Sequence, residues 1–155
     1  MGTTYSIKAE ALDSPDAQQL IAALDAELGA LYPRAQRFGP NFNAAQIEGG
    51  RGAFLVARDG EVAVGCGAIR LLDATTAEVK RMYVVTDHRG SGAGRAVLEG
   101  LEAAARDFGV HRLVLETGVH QHAAIGLYRR AGFEQVDCWG EYAASPTSVC
   151  YEKNL

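Results

Sequence analysis

The side chains and turns able to do chemistry gather in the second half of this 155-residue chain. Arg89-Gly90-Ser91-Gly92-Ala93-Gly94 forms a glycine-rich turn between a β-branched run and a helical pattern. Glycines let a backbone curl until several N–H groups point at one place, and a following helix adds the partial positive charge of its N-terminus. Such a turn suits a phosphate. Two common phosphate turns are excluded by spacing. A P-loop needs Gly-Lys-Ser/Thr, whereas Gly94 is followed by Arg95-Ala96. A dinucleotide fingerprint needs Gly-x-Gly-x-x-Gly, whereas the glycines here fall at positions 90, 92 and 94. His120-x-His122 has no third ligand placed by sequence, so no metal is expected, and His88 and His111 read as solvent-facing. Cys66, Cys138 and Cys150 are odd in number and contain no Cys-x-x-Cys, which removes zinc-ribbon and redox-motif readings. Reduced thiols are the expectation, with Cys138 and Cys150 neighbours if their segments form a hairpin.

Composition narrows the partners. With 15 Lys and Arg against 19 Asp and Glu, the net charge is −4, which argues against nucleic acid as the main partner. Apolar residues at 48% and charged residues at 22% describe an ordinary globular chain. Its length suits one domain, 1–155, able to bury a core without metal or disulfide. No basic stretch followed by an apolar run opens the sequence, and no run reaches the length of a membrane span. A cytoplasmic protein with no membrane partner is therefore expected.

The elements that must position the turn follow from periodicity. Tyr5 to Ala9 reads as a strand. Ser14-Pro15 supplies an N-cap and a first-turn proline for an amphipathic helix carrying Leu20, Ile21, Leu24, Leu28 and Leu31, ending near Tyr32-Pro33. Arg34 to Gly52 is loop-rich, with one short helix around Asn43 to Ile47. Ala53 to Ala57 and Val62 to Leu72 are strands joined at Asp59-Gly60, a hairpin signal, and Thr76 to Val85 is the next strand. Period-2 alternation puts Glu78, Lys80, Met82 and Val84 on one side of it and Val79, Arg81, Tyr83 and Val85 on the other. After the glycine turn, Val97, Leu98, Leu101, Ala104, Ala105 and Phe108 mark a helix stopped by Gly109. Arg112 to Thr117 is a strand reached by a βαβ crossover. Gln121 to Ala131 is a helix, and Phe133 to Trp139 and Ser148 to Lys153 are two last strands. The result is a mixed α/β (α+β) domain.

Arg89, Gly92 and Gly94 fit Arg/Gln-x-x-Gly-x-Gly/Ala, and at this point the chain resembles the GNAT superfamily of acyl-CoA-dependent N-acetyltransferases. Ala77 to Val84 is similar to that family's fourth strand and Leu113 to Thr117 to its fifth. Ala124-Ile125-Gly126-Leu127-Tyr128-Arg129-Arg130-Ala131-Gly132-Phe133 resembles its Ala-Ile-x-Leu-Tyr-x-x-x-Gly-Phe signature. The resemblance implies a central mixed seven-stranded sheet flanked by about four helices, with the fourth and fifth strands splayed to admit the pantetheine arm. It also implies acetyl-CoA as co-substrate, no metal, and a homodimer as an open state.

Acetyl transfer to an amine needs a base for the nucleophile, a donor for the oxyanion and an acid for the departing thiolate. By resemblance Tyr128 is the acid. Glu78, eleven residues before Arg89, matches the strand-four glutamate of histone-acetylating members and is the candidate base. Glu116 is the second choice. The resemblance assigns the backbone of Met82, Tyr83 and Val84 to the pantetheine, with the Val84 N–H on the acetyl carbonyl. It gives Arg89, Gly90, Ser91, Gly92, Ala93, Gly94 and Arg95 to the pyrophosphate. Gln121 stands where relatives carry Asn, and Thr86 where many carry Pro. The acceptor surface is expected from Arg34, Arg37, Phe38 and Phe42, then Trp139, Glu141, Tyr142 and Ser148, with help from Lys80. These suit a small amine, amino acid-like or polyamine- or drug-like. A protein or peptide acetyltransferase and a non-catalytic acyl-CoA-binding module are the alternatives.

Overall fold

The structure is a computed structural model that describes residues 4–32 and 43–155. Arg34, Arg37, Phe38 and Phe42 of the expected acceptor loop lie outside the described residues. In chain order the elements are β1 (Ser6–Ala9), α1 (Pro15–Leu31), β2 (Gly52–Asp59), β3 (Val62–Leu71), β4 (Thr76–Val84), α2 (Ala93–Asp107), β5 (Arg112–Gly118), α3 (His122–Arg130), β6 (Glu134–Val136) and β7 (Ser148–Asn154). The strands form one seven-stranded sheet in the order β1-β2-β3-β4-β5-β7-β6. Every pairing is antiparallel except β4 with β5.

Local chemistry accounts for the helix starts. Ser14 Oγ accepts from the Ala17 N–H at 3.1 Å and Pro15 occupies the first turn of α1. α2 begins at Gly92 and presents Ala93, Val97, Leu98, Leu101 and Ala105 to one face of the sheet, against Leu55, Ala57, Ile69 and Val79. Leu98 and Leu101 are fully buried, each worth about 1.5–3 kcal/mol. Ala17 and Leu20 of α1 cover the opposite face, over Phe54, Val56, Cys66 and Ala68.

Four expectations are corrected. Among the described residues there are three α-helices, not about four, because Asn43 to Ile47 holds a single 3-10 turn, Ala44–Gln46. The expected strand Phe133 to Trp139 shortens to Glu134–Val136, since pairing with β7 stops at Val136 opposite Cys150. Cys138 and Cys150 are disulfide-bonded rather than reduced, with Cα atoms 5.1 Å apart, and close the loop carrying Trp139 and Tyr142. Cys66 is the free thiol, and burial pushes its pKa up to about 12.

The fourth correction shapes the site. Ala68 pairs with Lys80 but Cys66 pairs with Tyr83, so β4 carries one extra residue there. Arg81 takes it up at φ 58, the only positive φ outside glycine among the described residues. The bulge flips the faces beyond it. Met82 and Val84 join Ala77 and Val79 on the α2 side, while Tyr83 packs on the α1 side with Phe54 and Cys66. Uninterrupted alternation had grouped Met82 and Val84 with Glu78.

β4 and β5 pair only from Thr76↔Arg112 to Glu78↔Val114. Past that point each stays with its outer neighbour, β4 with β3 as far as Val84↔Gly65 and β5 with β7 as far as Gly118↔Ser148. The sheet opens into a V between them, the splay that the resemblance implies. Among the described residues, no helix is long and apolar enough to cross a membrane.

Candidate active site

A cleft of about 850 Å³ runs from the C-terminal half of β4, past the N-terminus of α2, to α3, with Glu27, Ala30 and Leu31 of α1 on its rim. Met82, Tyr83, Val84, Arg89, Gly90, Gly92, Gly94, Arg95, Gln121 and Tyr128 line it. The sequence separated these residues by up to 46 positions, from Met82 to Tyr128, and the splay brings them together.

The strand supplies one wall. The Val85 N–H donates to the Val64 carbonyl at 2.9 Å, so alternation turns the Val84 N–H away from β3, toward the opening. The turn supplies the floor. Gly90 and Gly92 sit at φ 77 and 92, and Gly92 caps α2, whose first intrahelical acceptor is its own carbonyl, taken by the Ala96 N–H at 3.0 Å. The N–H groups of Ala93, Gly94 and Arg95 precede any intrahelical partner, and Gly94 and Arg95 line the cleft. Gly94 permits close approach of α3, since a Cβ there would lie 3.0 Å from Leu127 Cδ2. Gln121 Oε1 accepts from the Gly118 N–H at 2.8 Å and fixes the turn between β5 and α3.

Ser91 and Ala93 lie outside the lining. The Tyr5 hydroxyl donates to Ser91 Oγ at 2.6 Å, Ser91 in turn bonds the His88 carbonyl, and Ala93 is buried in the core. Arg89 is committed within the protein. It donates from Nε to the Val84 carbonyl at 2.9 Å and from Nη2 to Glu27 at 2.6 Å, and lies over the Tyr83 ring at 5.6 Å. Arg95 meets Glu99 on the helix surface at 3.1 Å.

Tyr128 projects from α3 with 5% of its surface exposed and stacks at a tilt on Phe133, ring centroids 5.7 Å apart. Its hydroxyl has no hydrogen-bond partner among the described residues. Burial, reinforced by the charge of Glu116, holds its pKa above the usual phenol range, so it keeps its proton.

Glu78 is placed differently from Tyr128. It is 1% exposed, on the face opposite Ala77 and Val79, and does not line the cleft. Arg70 Nε donates to Oε1 at 2.8 Å and the Tyr142 hydroxyl donates to Oε2 at 2.9 Å, with Lys80 Nζ 4.0 Å away. Lys80 also reaches the Tyr142 hydroxyl at 3.2 Å. Burial lowers the Lys80 pKa and Glu78 opposes that; burial, then the Glu78 charge, raises the Tyr142 phenol. Arg70 is the residue that sequence reasoning missed. It stands directly opposite Glu78 on β3, a pairing visible only once the hairpin register is known. Glu116, half-buried on β5, accepts from Ser148 Oγ at 2.6 Å, and burial raises its pKa. Among the described residues, no group of His, Cys, Asp and Glu is arranged to hold a metal ion.

Comparison with known proteins adds independent findings. The model of the acetyltransferase (GNAT) family matches residues 18–133. An IAA acetyltransferase of Azospirillum brasilense is 42% identical over 138 residues, 88% of this chain and 89% of its own length. YsnE of Bacillus subtilis, an uncharacterized N-acetyltransferase, is 32% identical over 112 residues, 71% and 74% of the two chains. Among solved structures, a candidate acyl-CoA N-acyltransferase of Klebsiella pneumoniae superposes with a TM-score of 0.85 at 38% identity, across 99% of each chain. The PaiA N-acetyltransferase of Thermoplasma acidophilum, solved with coenzyme A, shares the fold at 16% identity, with a TM-score of 0.71 over 97% of this chain and 99% of its own.

Proposed function

Because this chain belongs to the GNAT acetyltransferase family and is an acetyltransferase, we propose that it moves the acetyl group of acetyl-CoA onto a primary amine of a small molecule by direct attack. One observation carries the reading: a single cleft is lined at one end by the open amides of α2 and at the other by an unpartnered, protonated Tyr128. The amides of Gly94 and Arg95 bind the coenzyme pyrophosphate, as a helix N-terminus does for phosphates generally. Met82 to Val84 lie along the pantetheine as an added strand would, and the Val84 N–H stabilises charge on the acetyl oxygen. Tyr128 protonates the departing sulfur. Gln121 holds the turn that sets α3 at this distance. A small acceptor is supported by the relative named as an IAA acetyltransferase.

The test is thiol release from acetyl-CoA with a panel of amino acids, polyamines, aminoglycosides and peptides. Release with a small amine is expected, and release with peptides alone assigns the protein-directed alternative. Tyr128→Phe is expected to lower turnover at least ten-fold, about 1.4 kcal/mol, and to spare coenzyme affinity. Unchanged turnover removes Tyr128 from the chemistry.

A further inference from the structure

We propose that the acceptor is a primary monoamine carrying a flat aromatic group, held at the α1 end of the cleft by Leu31 and His120; the assignment rests on the acetyl-transfer reading above. The cleft has two chemically different ends. The amides of Gly94 and Arg95 open at the α2 end, which suits phosphate. Ala30, Leu31, Tyr83 and His120 line the end beside α1. With the coenzyme along β4 and its phosphates on α2, the amine reaches the thioester from the α1 end.

That end offers apolar and aromatic surface. Among the described residues Leu31, Val62 and Leu72 are the large apolar side chains left exposed, and of these Leu31 alone lines the cleft, at 40% exposure. Ala30 lines it beside Leu31. The His120 ring is a fixed plate. Tyr32, which caps α1 and is 5% exposed, lies behind it, with ring centroids 5.5 Å apart and planes 32° from parallel. The Tyr32 hydroxyl accepts from the His120 N–H at 2.9 Å, and it sits where a Cβ on Gly118 would collide with it. Backbone and ring of His120 are thus both held from behind, while the residue itself is exposed on the cleft. An aromatic ring laid on this plate and against Leu31 exchanges water for apolar and ring–ring contacts, with little ordering of the protein left to do.

Charge separates this acceptor from a polyamine. Glu27 is the one carboxylate lining the cleft among the described residues, and Arg89 already holds it at 2.6 Å. Arg89, Arg95 and Arg130 line the same cleft. The further ammonium groups of a polyamine or an aminoglycoside would find no open carboxylate at the α1 end and would lose hydration uncompensated. A monoamine brings no such group, since its single nitrogen is the one that reacts and leaves as a neutral amide.

The experiment measures kcat/KM by thiol release from acetyl-CoA with phenethylamine, ethylamine and spermidine. Phenethylamine is expected to exceed each of the other two by at least about ten-fold. Ethylamine presents the same nitrogen without the ring, so the phenethylamine-to-ethylamine ratio isolates ring recognition. Leu31→Ser and His120→Ala are each expected to lower that ratio about five-fold or more, with coenzyme A affinity retained, which also shows that the variants fold. His120→Phe keeps a ring at the plate and is expected to restore the ratio. A ratio unmoved by Leu31→Ser and by His120→Ala, or a preference for spermidine, overturns this assignment and leaves acetyl transfer standing. If no amine releases thiol from a protein that binds coenzyme A, the acetyl-transfer reading fails and this one falls with it.

Discussion

The Gly92→Asp variant is expected to lose at least a hundred-fold in coenzyme A affinity while remaining folded. Two effects add at this position. The backbone sits at φ 92, where a side chain is strained, and Asp tolerates left-handed backbone better than most, so the fold bears a cost of about 1 kcal/mol. No atom lies within 4 Å of the Cβ position, so the new carboxylate meets no protein obstacle. It does meet the anion that the amides of Gly94 and Arg95 are proposed to hold. Like charges about 4 Å apart repel by about 4 kcal/mol at an effective dielectric of 20, which exceeds the roughly 2.7 kcal/mol of a hundred-fold loss. Gly92→Ala shares the backbone strain and lacks the charge, so titration calorimetry on the two variants separates the causes. Equal, small losses in both would place the pyrophosphate elsewhere.

Arg70→Met is expected to destabilise the fold by about 3–5 kcal/mol, because it leaves the buried Glu78 carboxylate without its close cation. Lys80 at 4.0 Å and the Tyr142 hydroxyl offset part of that, which favours the lower end. Adding Glu78→Gln to Arg70→Met removes the orphaned charge, and the double variant is expected to be more stable at neutral pH than Arg70→Met alone. Denaturant titration of the set measures this coupling directly. Additive effects would mean that Arg70 and Glu78 do not act as a pair.

Much of this organisation was legible in local sequence. Ser14-Pro15 marks the start of α1, Asp59-Gly60 the β2–β3 turn, and the glycines at 90, 92 and 94 the start of α2, because capping and turn chemistry act over a few residues. Tyr128, singled out by the family signature, lines the cleft. What local reading missed depends on partners distant in sequence. The bulge at Arg81 carries no glycine or proline to announce it. It exists because β4 must stay in register with β3 on both sides of one extra residue, and it moved Met82 and Val84 to the opposite face from Glu78. The Arg70–Glu78 pair is likewise a product of register. The Cys138–Cys150 bond depends on β6 ending where it does against β7. Thus the residue type at position 78 suggested a base, and its surroundings show a carboxylate occupied on both oxygens.

The central claim is that the opening between β4 and β5, floored by the amides of α2, receives a nucleotide diphosphate carrying a thioester. Isothermal titration of the purified protein with coenzyme A and acetyl-CoA tests it without any assumption about the acceptor. Saturable one-to-one binding of both, weakened by Gly92→Asp and unchanged by Tyr128→Phe, is the predicted result. Absence of heat and of affinity for either compound, in a protein shown to be folded, would contradict it.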